Sequence, residues 1–206
     1  MATAKRTDRS TGPSTRTRII DAAAEVMASK GLANTTTKEI ARVAGYSEAT
    51  LYKHFRDKAE LCLMVLRERL AADFIDTLSG FHTRAGQATV RENLLDVALR
   101  ALSFYRQSAP MMGAVFAEPA LLAHHQEVLR STEKGPHLAI VALTGYLRAE
   151  QGLGRVAPDV RAEALAALLL GACFQRAFFT RFVGEHIAGQ PDDDFAATLV
   201  DALPLG

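Results

Sequence analysis

Apolar residues recur at helical spacing along almost the whole chain, and no stretch alternates with the two-residue period of a strand. The expected fold is therefore all-α. A first helix is predicted from about Thr15 to Lys30, with Ile19, Ile20, Ala23, Ala24 and Met27 on one face and Gly31 as its stop. Two short helices follow, at about 37–44 and 47–55. A long one starts at Lys58, carries Leu66, Leu70, Phe74 and Leu78 four residues apart, and fades near Gly80. Beyond Gly86 the pattern predicts helices at 89–107, 119–132, 136–151, 159–184 and 192–203, with a short one at 110–116. The breaks fall at Pro110, Pro119, Pro136, Gly152 to Gly154, Pro158, and Gly189 to Pro191.

The stretch from Thr35 to Leu61 carries the most specific signal. Thr36 and Glu39 have the spacing of a capping box, so Thr36 should open a helix that runs through Ala44, with Ile40 and Val43 on its inner face. Ala41 is small and Gly45 follows four residues later, which suits a turn where two helices cross closely. Ser47 caps a second short helix. In it Leu51 and Phe55 point inward, so at about 100° per residue Ala49, Thr50, Tyr52 and Lys53 point outward. Such a helix suits the major groove, its N-terminus at base edges and Tyr52, Lys53 and His54 near phosphates. Asp57 and Glu60 cap the next helix. Lys58 then lies in a first turn, where a cation opposes the helix dipole unless a phosphate is near. By periodicity alone, the same pattern also describes a plain helical hairpin in a bundle, with Lys53 and Lys58 merely solvated.

Charge sharpens the picture. The 206 residues carry a net charge of only +1, but residues 1–60 hold 11 Lys+Arg against 7 Asp+Glu, and residues 61–206 hold 13 against 16. The basic excess lies where a polyanion could be met. With 49% hydrophobic and 23% charged residues, the chain has the composition of a folded soluble protein. Cys62 and Cys173 are too far apart in sequence to suggest a disulfide framework or a zinc site. The basic start has no apolar stretch behind it, so it does not read as a signal peptide, and residues 1–14 read as a flexible basic arm. The longest apolar run, Ala164 to Phe174, is short for a bilayer, and a cytoplasmic location is expected.

Residues 15–65 resemble the N-terminal domain of the TetR (tetracycline repressor-like) family of transcriptional regulators. The resemblance is carried by Ile19–Ile20–Asp21–Ala22–Ala23, Gly31, Thr36, Ile40–Ala41, Ala44–Gly45, Ser47, Thr50–Leu51–Tyr52, His54–Phe55, Lys58 and Leu61. It implies that Thr37 and Lys38 touch DNA backbone or a base, and that Ser47, Glu48, Ala49, Thr50, Tyr52, Lys53 and His54 occupy the recognition helix. It also implies that Lys58 holds a phosphate. Two positions depart from the family: Thr37 stands where an apolar residue is usual, and Ala49 where Gly or Pro is frequent. Glu48 is acidic; it either accepts from a cytosine amino group or lowers affinity.

The resemblance implies a helix-turn-helix domain over 15–60 and a helical ligand-binding and dimerisation domain over 61–206. Helices 159–184 and 192–203, the second carrying Phe195, Leu199, Val200 and Leu203, resemble the pair that builds a four-helix bundle with a symmetry mate. The alternative is that they form the core of a monomer. Candidate lining residues for a ligand cavity are Phe104, Tyr105, Met111, Met112, Phe116, Phe174, Phe178 and Phe179, with Glu118, His125, Gln175 or Arg176 as polar anchors. Met and Phe at this spacing also describe a plain core. His124 and His125 lie on different helix faces and do not suggest a metal site, and no cofactor is expected. Gly152-Leu153-Gly154 follows no strand, Asn34-Thr35-Thr36 is a sequon in a DNA-binding unit, and no hydrolase or P-loop motif occurs. The expected function is a homodimeric repressor on a palindromic operator, released by a small apolar or amphipathic molecule. The alternatives are a DNA-binding regulator without an inducer, or a helical enzyme or lipid-binding protein.

Overall fold

The structure, a computed structural model, describes residues 12–132, 135–185 and 189–205, so most of the expected N-terminal arm lies outside the described residues. The chain is 77% helical, and no strand occurs among the described residues. It divides into two compact units between Leu61 and Cys62.

The first unit holds α1 (Thr15–Lys30), α2 (Thr37–Ala44), α3 (Glu48–Tyr52) and the start of α4 (Lys58–Val65). Ser14 caps α1 by accepting from Thr17 N at 3.1 Å, and Gly31 ends it at φ 74°. The face predicted for α1 is buried except at one position: Ile19, Ile20, Ala23 and Met27 are at most 4% exposed and are joined by Ala22 and Val26, while Ala24 is only half-buried. They meet Ile40, Ala41, Ala44, Leu51 and Phe55, the last two 0% and 2% exposed. One expectation fails here. Val43 is 36% exposed rather than inward, because α2 rests on α1 through Ile40, Ala41 and Ala44, which turns position 43 outward.

The second unit continues with a π-helical turn, Leu66–Leu70, then α5 (Ala71–Ser79) and a 3₁₀ turn, Phe81–Arg84. The π turn has a reason in the sequence. Residues four apart rotate by about 40° per step around an α-helix, so a stripe at 66, 70, 74 and 78 drifts off one face. A wider turn absorbs that drift. Leu66, Phe74 and Leu78 are all buried as a result.

Next come α6 (Val90–Ala117), α7 (Pro119–Thr132), α8 (His137–Gly152), α9 (Ala162–Val183) and α10 (Asp192–Asp201). The break predicted at Pro110 is absent: α6 runs through it. Proline removes one main-chain hydrogen bond, but the buried face continues past it through Ser108, Met111 and Val115, and that packing holds the helix together. Thr89 and Glu92 form a full capping box at its start.

Helix α9 packs against α6 and α8, and α10 packs against α6 and α9. Leu94, Val97, Ala101, Leu143, Leu147, Leu165 and Leu169 form the centre of that core. Below them Tyr146 meets Phe81 edge-on at 4.9 Å, and Asn93 Nδ2 donates to the Tyr146 hydroxyl at 3.0 Å and to Gln87 O. Glu150 is fully buried beside them. Gly86 N donates to its Oε1, and Arg155 Nε lies 3.3 Å from its Oε2, near enough for an ion pair but not aligned as a hydrogen bond. This polar knot ties the 3₁₀ segment to α8. By length and mean hydropathy (1.4) α9 would also pass as a membrane span, but Leu165, Ala166, Leu169, Leu170, Cys173 and Ala177 are spent on the unit's own core.

Candidate nucleic-acid interface

Thr36 caps α2, accepting from Glu39 N at 3.2 Å. The reciprocal half of the expected capping box is not made; the Glu39 carboxylate instead meets Lys30 Nζ at 2.5 Å. Gly45 follows α2 in the left-handed region, at φ 77°, where a side chain would be strained. Its N–H bonds back to Arg42 O, and Tyr46 N bonds to Ala41 O. The turn is braced by a residue that sequence spacing could not reveal. Arg18, 26 to 28 positions away, donates to Ala44 O and to the Tyr46 hydroxyl, each at 3.3 Å, and lies over the Tyr46 ring. Arg16 likewise lies over Phe55, 5.6 Å from the ring centroid. Both sit on the polar side of an amphipathic helix, where nothing local marks them.

Ser47 caps α3, accepting from Thr50 N, and its hydroxyl lies 2.9 Å from that of Thr50. With Leu51 and Phe55 buried, Ser47, Ala49, Tyr52, Lys53 and His54 are exposed and Glu48 and Thr50 half-buried. Tyr52 is 50% exposed. Lys38, at the start of α2, is exposed too, and among the described residues neither it nor Lys53 has an ion-pair or hydrogen-bond partner. The two helices are joined by Thr37, the first residue of α2, whose hydroxyl donates to Glu48 Oε1 at the start of α3, 2.5 Å away, and lies 3.3 Å from the Tyr52 hydroxyl at its end.

Lys58, half-buried in the first turn of α4, directs its ammonium at Leu32 O, 2.6 Å away. A main-chain carbonyl thus offsets the unfavourable dipole in the free chain. Asp57 accepts from Glu60 N at 2.8 Å, and Glu60 Oε2 accepts from Arg56 N. Burial works to raise the Asp57 carboxyl, but the Glu60 N–H and the adjacent Arg56 guanidinium outweigh it and hold it below the ordinary 3.8.

In the second unit Phe104, Tyr105, Phe174, Phe178 and Phe179 form a continuous chain of ring contacts, but the predicted ligand residues do not all line one hollow. Phe104 stacks on Phe74 at 4.6 Å, and Tyr105 meets Phe174 edge-on at 5.4 Å. Burial, with Cys173 nearby, pushes the Tyr105 hydroxyl up to about 12. Met111 is buried and Met112 half-buried, whereas Phe116, Glu118, Gln175, Phe174, Phe178 and Phe179 are exposed. His125 is half-buried with Nδ1 unpaired; burial, then the Arg67 and His124 charges, hold its imidazole below the ordinary value.

Of the ligand residues predicted, Phe104 lines a hollow of about 210 Å³ formed with Leu70, Phe74, Thr77, Arg100, Ser103 and Gln107. A second hollow, of about 540 Å³, lies around Arg106, Arg176 and Asp192, with Arg106 bound to Asp192 through two hydrogen bonds; of the candidate polar anchors only Arg176 lines it.

Residues 19–65 match the family described as bacterial regulatory proteins, tetR family. Among similar proteins, the helix-turn-helix transcriptional regulator YvkB of Bacillus subtilis is 25% identical over 87% of this chain and 89% of its own length. SrpR of Pseudomonas putida, another helix-turn-helix transcriptional regulator, is 43% identical over 67 residues, 31% of this chain and 32% of its own.

A TetR-family regulator from Mesorhizobium loti superposes with a TM-score of 0.67 at 22% identity, covering 91% of this chain and 94% of that one. SmeT of Stenotrophomonas maltophilia does so at 0.60 and 21%, over 92% and 89%. These likenesses establish the all-α fold, a helix-turn-helix domain followed by a helical domain. Residues 19–65 thus carry the signature of the tetR family, and over most of its length the chain is similar to helix-turn-helix transcriptional regulators.

Proposed function

We propose that the protein is a homodimeric, cytoplasmic repressor that holds a palindromic operator and is released by a small amphipathic molecule. The observation that carries the operator half is the division of α3. Leu51 and neighbouring Phe55 are sunk in the core, while Ala49, Tyr52 and Lys53 are left outside beside exposed Lys38. A single such unit binds weakly, and two related by a two-fold axis reach successive major grooves about 34–36 Å apart. In this reading Thr37, Lys38, Ser47, Glu48, Ala49, Thr50, Tyr52, Lys53, His54 and Lys58 face DNA.

The dimer reading is supported by an apolar stripe on α9. Ala164, Ala167, Leu168, Gly171, Phe174, Phe178 and Phe182 are exposed at helical spacing, with Leu168 at 63% and Phe182 at 78%. An unpartnered stripe of this kind marks an interaction surface. Helix α10 contributes less than expected, since Ala196 and Val200 are buried in its own chain and Phe195 and Leu199 pack on the core.

The effector reading is supported by the hollow over the Phe74–Phe104 stack, apolar at its floor and polar at Thr77, Ser103 and Gln107. Leu70, at the end of the π turn, lines it, and by chain connectivity that turn continues the helix whose first turn bears Lys58. π turns inside α-helices are frequent at functional positions. SmeT is the repressor of a multidrug efflux pump and Bacillus subtilis FadR was crystallised with stearoyl-CoA; repression and release by a ligand are extended to this chain on the strength of its own hollow and stripe.

The test is selection from a random duplex pool followed by gel shifts. Enrichment of a palindrome is expected, and alanine at Lys53 should weaken binding while reducing the salt slope by about 1. Native mass spectrometry of the purified protein is expected to show a bound small molecule that lowers operator affinity about 5- to 150-fold. No preference for any palindrome over random duplex would end the operator reading.

A further inference from the structure

The Thr37 hydroxyl has one proton and two near neighbours, Glu48 Oε1 at 2.5 Å and the Tyr52 oxygen at 3.3 Å. A carboxylate has no proton to give, so the Thr37 proton goes to Glu48. The contact with Tyr52 must then use the tyrosine's proton. The hydrogen bonds therefore run one way, from Tyr52 to Thr37 to Glu48, each strengthening the next. With its proton committed inward, Tyr52 shows the outside only lone pairs. Glu48 Oε2 has no partner among the described residues. Thr37, Glu48 and Tyr52 thus offer acceptors on the face that also exposes the donors Lys38 and Lys53.

Acceptors on a groove-reading helix discriminate among bases. Guanine shows two acceptors in the major groove, thymine an acceptor and a methyl group, and adenine an acceptor beside its amino group. Cytosine alone shows an amino donor with no acceptor next to it on its own edge.

We propose that Thr37 is a positioning residue that holds Glu48 as a fixed acceptor, and that Glu48 specifies a cytosine, through its N4 amino group, at one position of each operator half-site. This rests on the operator reading above and adds the identity of a base to it. The threonine, a departure from the apolar residue usual at this place, becomes the reason an acid is tolerated facing DNA: its hydroxyl orients one oxygen and leaves the other for the base.

The experiment is sequence selection with the full chain and with T37V, T37S and E48Q, followed by titration of duplexes carrying each base at every half-site position. The wild type is expected to prefer cytosine at one position by about 5- to 150-fold. E48Q, whose amide both donates and accepts, should move that preference to adenine. T37V should leave thermal stability unchanged and, whatever it costs in overall affinity, cut the cytosine preference about 2- to 10-fold, and T37S should restore that preference. A cytosine preference that T37V leaves unchanged, or a base preference that E48Q does not move, overturns the proposal while leaving the operator reading intact. A wild type that enriches no sequence overturns both.

Discussion

On and just after α3 the side chains left outside are Ala49, Tyr52, Lys53 and His54; on α9 they are Leu168, Phe174, Phe178, Phe179 and Phe182. Both helices bury the opposite face in the core of their own unit. Under the proposed function their chemistry differs because their partners differ. A duplex edge is polar and hydrated, so the face that meets it carries cations and hydrogen-bonding groups. A second protein copy rewards apolar area removed from water, at about 25 cal/mol per Å². The first surface is held by caps and hydrogen bonds, from Ser47, Thr36 and Arg18. The second is held by the core behind it, and by aromatic contacts along its length, Phe174 to Phe178 at 6.3 Å and Phe178 to Phe182 at 6.3 Å.

The contrast can be broken most severely from inside the first unit. Phe55→Ala removes a ring that is 2% exposed and should cost about 3–5 kcal/mol. Thermal melting should show the first unit destabilised and gel shifts should show DNA binding lost. Unchanged melting would mean the α3 face does not depend on its core. On the other surface, Phe178→Glu places a charge in the stripe and should cost the dimer about 2 kcal/mol or more, read as a monomer by analytical ultracentrifugation with weaker operator binding. A dimer of unaltered affinity would assign the stripe to another partner.

Smaller effects sharpen the comparison. Tyr146→Phe deletes the hydroxyl that receives the Asn93 bond beside buried Glu150, and should cost about 1–3 kcal/mol by urea denaturation without altering DNA affinity. The smallest effect is in pH. Asp57 has a carboxyl held below its ordinary 3.8, so its stabilisation is full above that value and disappears as pH falls from 3.8 through the lower folded value. Asp57→Asn should flatten acid unfolding of the first unit in that window. An identical acid limb in wild type and variant would show that Asp57 makes no such contribution.

Much of the first unit was legible because its signals are local. The α1 bounds, the Thr36, Ser47 and Asp57 caps, the Gly45 turn and the inward pair Leu51 and Phe55 all depend on neighbours within a few residues. Val43 was misplaced because α2 is short, and which side of one turn is buried depends on the angle at which α1 crosses it. The Thr37–Glu48–Tyr52 chain and the Arg18 brace span 11 to 28 positions and leave no periodic trace. In the second unit, Pro110 suggested a break since proline alone removes a hydrogen bond, but packing on both sides outweighs it.

What the sequence determined by itself is the all-α class, the sidedness of α3 and the likeness of residues 19–65 to the tetR family, since these follow from residue spacing and from caps that act over one turn. What only the tertiary structure decided is which apolar residues become core and which remain as surface. Phenylalanines on α9 look alike in sequence, and their exposure depends on whether α6, α8 and α10 cover them, which is settled by how distant segments pack.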